Sequence, residues 1–71
     1  MPNTDKLKGR IVEKRLTIGK IAIDMGISAY ILGQKILGKS PMTLGEARFL
    51  QKCLDIPDDE LAIYFFTSEV A

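Results

Sequence analysis

The sequence predicts an all-α domain, a compact bundle of about five short helices. Three observations carry that expectation. Apolar residues recur mostly at helical spacing rather than alternating along the chain. Ser, Thr and Asp stand just before those apolar stripes, and Gly or Pro just after them, as helix start and stop signals do. Hydrophobic residues make up 46% of the chain and charged ones 27%, a balance that suits a packed globule rather than a disordered segment.

The first helix is expected to open at Thr4 or Asp5, either of which can accept hydrogen bonds from the free amides of a first turn. It should carry Leu7, Ile11 and Val12 inward and end near Arg15. Thr17 is the next N-cap, opening a short helix in which Ile18, Ile21, Ala22 and Met25 share a face. Gly26 should stop that helix, because a residue without a Cβ can take the left-handed conformation that turns the chain. Ser28 then caps a third helix, with Ile31 or Leu32 and Ile36 facing the second, until Gly38-Lys39-Ser40-Pro41 interrupts it. The fourth opens on Thr43-Leu44-Gly45-Glu46, a capping box, and its expected inward face is Leu44, Ala47, Leu50 and Leu54. A last helix opens around Pro57-Asp58-Asp59-Glu60 and runs through Leu61 to Phe66; residues 67–71 carry no firm signal.

Seventy-one residues suit one domain, 1–71, with a thin stability margin, since a chain this short buries only about 60% of the surface it exposes when unfolded. Cys53 is the sole cysteine and histidine is absent, so neither an internal disulfide nor a zinc finger can staple the fold. The same inventory argues against an enzyme and against a cofactor: it offers no phosphate-cradling glycine loop and no metal-ligand spacing. Asp58, Asp59 and Glu60 are better explained as charges complementing a helix start than as metal ligands. No apolar run approaches the ~20 residues of a membrane span, and Met1 to Asp5 lack the apolar core of a signal peptide, so a cytoplasmic location without membrane contact is expected.

The net charge of +1 conceals a polarity along the chain. Residues 1–40 hold eight basic side chains against three acidic ones, a local charge of +5; residues 41–71 hold two against six, a local charge of −4. Such a distribution places one end of the molecule toward an anion and the other toward solvent or a partner, unless both are ordinary solvated faces.

Between Ile18 and Leu37, Ala22, Gly26 and Leu32 stand where a helix-turn-helix places a small residue, a glycine and an aliphatic. Ala22 would let two helices cross closely, Gly26 would make the turn, and Ile27 and Leu32 would fill the angle between them. This segment resembles the helix-turn-helix of the Cro and phage-repressor (XRE-type) family. Downstream, Lys35-Ile36-Leu37-Gly38-Lys39-Ser40, the capped fourth helix and Tyr64-Phe65-Phe66 are similar to small phage-encoded Cro-like regulators and modulators of repression. The resemblance spans roughly residues 7–66 and places the helix-turn-helix at about 17–37. It implies a lambda-repressor-like DNA-binding domain that regulates transcription, with the helix starting at Ser28 in the major groove of double-stranded DNA.

On that resemblance the base-reading positions are Ser28, Ala29, Tyr30, Gly33, Gln34 and Leu37. Gln34 could pair in bidentate fashion with adenine, and Tyr30 or Ala29 could pack on a thymine methyl. Gln34 could equally be a hydrated helix residue, and Tyr30 could be partly buried against the second helix. Lys20, Lys35 and Lys39 would clamp phosphates, with Thr17 and Ser40 as hydroxyl donors. Gly19 and Gly33 each cost a helix up to about 1 kcal/mol relative to alanine. Either a close approach of DNA or a close crossing of neighbouring helices could offset that. Ile18 departs from the family pattern, which commonly has a glutamine there to anchor the second helix to the DNA backbone. The family usually binds as dimers on half-sites, and Tyr64, Phe65 and Phe66 are the expected homodimer surface, unless Leu61, Tyr64 and Phe65 close the core instead while Phe66 ends the helix. The rival reading is an antirepressor that uses the same scaffold to hold a larger phage repressor protein.

Overall fold

The computed structural model describes residues 2–66 and is an all-α bundle. Helices α1 (Thr4–Glu13), α2 (Ile18–Met25), α3 (Ala29–Ile36) and α4 (Leu44–Cys53) are followed by a 3₁₀ turn (Asp58–Glu60) that leads into α5 (Leu61–Phe65). No helix among the described residues is long and apolar enough to cross a membrane.

The helix starts are set by side chains that accept the orphan amides of the first turn. Thr17 Oγ1 accepts from the Lys20 amide and Ser28 Oγ from the Ile31 amide, both at 3.1 Å. The Thr43–Glu46 capping box closes in both directions, at 3.1 and 2.9 Å. At α1 the cap is one residue earlier than expected: Asn3 Oδ1 accepts from the Lys6 amide, leaving Thr4 inside the helix. The displaced Thr4 hydroxyl instead donates to the Ile36 carbonyl at 2.8 Å, satisfying an orphan acceptor at the end of α3.

The first four helices all end in the same left-handed hook. Arg15 (φ 59°), Gly26 (φ 75°), Gly38 (φ 80°) and Asp55 (φ 51°) turn the chain, and the next amide reaches back five residues: Leu16 to Ile11, Ile27 to Ala22, Lys39 to Gln34, Ile56 to Gln51. Two of these hooks are glycines, which pay no Cβ penalty in this conformation. The other two are not. Around Asp55 the strain is offset by bonds from α1: Arg10 donates to the carbonyls of Leu54 and Asp55 at 2.7 and 2.9 Å, and Lys14 pairs with the Asp55 carboxylate.

Each helix contributes two buried residues to a single core: Leu7 and Ile11, Ile21 and Ala22, Leu32 and Ile36, Ala47 and Leu50, Tyr64 and Phe65; Leu54 and Ile56 close it after α4. Two expectations about helix faces need correction, and one open alternative is resolved. Val12, expected inward, is 74% exposed, because it lies about 100° around the helix from Ile11 and the core takes the Leu7–Ile11 stripe alone. Leu44, expected inward, is 64% exposed, because at the first helical position of α4 it projects beyond the layer that Ala47 and Leu50 fill. Of the pair Ile31 and Leu32, Leu32 is the buried one.

Candidate nucleic-acid interface

Helices α2 and α3 pack on each other. Ala22 is buried in the core on α2. Gly26 turns the chain, Ile27 is half-buried beneath the turn, and Leu32 is fully buried in the angle. With Thr17 and Ser28 capping the two starts, the pair is fixed by local bonds and by the core together.

The outward side of this pair presents α3. Ser28, Ala29 and Tyr30 are exposed at its start, Tyr30 to 75%, so the tyrosine is not packed against α2. Gly33 and Gln34 are half-buried, and Leu37 lies exposed just past the last turn. A Cβ built on Gly33 would meet no atom within 4 Å. Close crossing of a neighbouring helix therefore does not account for this glycine. Gly19 is equally open, its nearest neighbour being Thr17 Oγ1 at 4.0 Å.

The expected phosphate-binding side chains divide into two groups. Lys20 and Lys39 are exposed and have no carboxylate partner among the described residues; Thr17 is exposed and Ser40 half-buried. Lys35 stands apart. Its ammonium donates to Glu46 Oε1 at 2.9 Å and to the Pro41 carbonyl at 3.1 Å, with only 16% of its side chain exposed. The one lysine of α3 thus ties that helix to the start of α4 instead of extending from the outward side. Glu46 receives the Thr43 amide on the same oxygen, and that bond, then Lys35, holds its carboxyl below the usual carboxylate range.

Among the residues expected at a dimer surface, Tyr64 and Phe65 are buried in the core, and Lys6 lies over the Tyr64 ring at 5.0 Å. That expectation is corrected for both: a five-residue helix packed on α1 turns its last two residues inward, and Phe66 alone of the three remains exposed, at 55%. Phe66 and Leu44 flank a groove whose floor includes Pro41, Met42 and Ala47. Sequence reasoning missed Ile23, 78% exposed on α2, although its position off the Ile18, Ile21, Ala22 and Met25 stripe marked it as outward. Among the described residues no three of His, Cys, Asp and Glu come together as metal ligands.

No protein-family model matches the chain, and neither a curated protein nor a solved structure is significantly similar to it.

Proposed function

We propose that this protein is a sequence-specific DNA-binding regulator of transcription, with α3 lying in the major groove and its first residues against base edges. The observation that carries the reading is Gly33. A glycine in the middle of a capped helix costs stability, and as with Gly9 in α1 no neighbour among the described residues lies within 4 Å of its Cβ position; Gly33 differs in lying on the helix proposed to enter the groove. Its open side faces the same way as the residues that a groove-binding helix would use. Lys20 and Lys39, before and after that helix in the chain, are exposed cations with no carboxylate partner among the described residues, able to reach phosphates, and Thr17 and Ser40 add hydroxyls.

Titration of fluorescent duplex DNA from the neighbourhood of the gene, at several salt concentrations, tests the proposal. With roughly three phosphate contacts per protomer, log affinity should fall with log salt at a slope near −0.9 per contact. Absent or salt-insensitive binding would end it.

One observation favours a second reading. The outward face of α3 holds no charged side chain, and Ile23 is exposed on α2, features that suit a protein partner such as a larger repressor. Capture of such a repressor, together with no affinity for any duplex, would favour an antirepressor.

The DNA reading includes a pair of protomers on two half-sites. The groove between Leu44 and Phe66 is the surface we assign to that pairing. Its lining, which also includes Pro2, Met42 and Phe65, contains no charged side chain among the described residues. A patch that must meet its own copy across a two-fold axis can bury such a surface without setting like charges against each other.

A further inference from the structure

We infer that the duplex this protein prefers is A·T-rich beneath α3, and that it is read mainly through thymine methyl groups and one adenine. The inference rests on the DNA reading proposed above and specifies its substrate. In the major groove each base pair is distinguished by a different chemistry. Guanine offers two acceptors, O6 and N7, that Arg or Lys reads in bidentate fashion; adenine pairs a donor with an acceptor, which suits Asn or Gln; thymine presents a methyl group to apolar side chains.

The outward side of α3 contains the second and third of these partners and lacks the first. Its one cation, Lys35, is drawn toward α4 by Glu46 and the Pro41 carbonyl. Gln34 is half-buried, and its side-chain amide has no hydrogen-bond partner among the described residues, which leaves both its donor and its acceptor for a base. The ring of Tyr30 and Leu37, seven residues apart, supply apolar contact on one side of the helix, and Ala29 is exposed at its start. Gly33 lies between them with open space over its Cα, so a thymine methyl can approach the helix backbone where any side chain would hold it away. Ser28 can hydrogen-bond to either kind of pair and contributes no preference. Lys20 and Lys39, outside α3, supply attraction to phosphates, which carries no sequence information.

The test is selection from a randomised duplex library of about two helical turns with the purified full-length protein, followed by measurement on the enriched duplex with each thymine replaced by deoxyuridine. We expect enrichment of a run of A·T pairs, and a loss of about fourfold in affinity for each contacted methyl removed, from the transfer free energy of one buried carbon. Gln34→Arg should move the preference at one position from adenine to guanine. Enrichment of G·C pairs, or affinity unchanged by deoxyuridine, would overturn the A·T inference while leaving DNA binding intact. Retention of no duplex at low salt would overturn the DNA reading, and this inference with it.

Discussion

Lys35 and Glu46 form a half-buried ion pair, 2.9 Å apart, that joins α3 to the capping box of α4. The same carboxylate oxygen accepts the Thr43 amide, so one group both starts a helix and holds its neighbour. Because the folded state holds the Glu46 carboxyl below its usual value of 4.5, the unfolded chain binds a proton first as pH falls. The stabilisation is complete above the ordinary glutamate range and is lost as pH drops through the depressed folded value. Glu46→Gln keeps a capping-box side chain but removes the charge. It should lower neutral-pH stability by roughly 1 kcal/mol, about 4–8 °C in Tm, and flatten the fall of Tm with acid. Melting curves from pH 7 to pH 3 check this; an acid slope equal to the parent's would show that the pair does not report on folding.

Gly33→Ala separates stability from recognition. The added methyl meets no atom of the fold, so thermal or denaturant unfolding should show a gain of about 0.5–1 kcal/mol. Affinity for the selected duplex should fall at least tenfold. A variant that is more stable and binds as well as the parent would remove Gly33 from the interface.

These two positions show how legibility divides along the chain. Thr17, Gly26, Ser28 and Thr43 could be placed from sequence, because a cap or a glycine hook is decided within four or five residues. Val12, Leu44 and Tyr64 could not. Each sits on a correctly read helix, but whether an apolar side chain at its edge is buried depends on which neighbouring helix covers it. Arg15 and Asp55 were hidden for a different reason, since neither residue type advertises a positive φ. The apolar residues after them, Leu16 and Ile56, were the available sign, because a hook commonly seats an apolar residue just beyond the turn. At the site, the outward positions of α3 followed from the helix-turn-helix pattern, whereas the withdrawal of Lys35 required knowing that Glu46 would lie opposite it.

Arg15→Gly should stabilise the fold by about 1 kcal/mol, because the side chain pays a left-handed backbone penalty with no ion pair among the described residues to offset it. Asp55→Gly should gain less, since it also gives up the carboxylate that Lys14 holds. Chemical denaturation of the two variants side by side would reveal the difference; equal gains would mean that the Lys14 pair contributes nothing.

Gln34→Ala should weaken binding to the selected duplex by about 1–3 kcal/mol and leave affinity for random DNA unchanged. Fluorescence anisotropy with both duplexes measures this. Equal losses on the two would assign Gln34 to general affinity instead of base reading.

Leu44→Asp and Phe66→Asp each place a charge on this apolar groove without opening the core, since both side chains are exposed. Analytical ultracentrifugation should show a dimer for the parent and monomers for both variants, with circular dichroism unchanged. A parent that sediments as a monomer, or variants that still dimerise, would place any pairing elsewhere.

The Asn3 amide donates to the Tyr64 carbonyl at 2.8 Å, so the start of α1 is fastened to the end of α5. A force applied across those ends would arrive first at this bond and would then peel α1 and α5 apart in sequence. Helices α2 and α3 lie between them along the chain and would be loaded only after the outer pair had yielded. The candidate reading surface is thereby the mechanically sheltered part of the molecule.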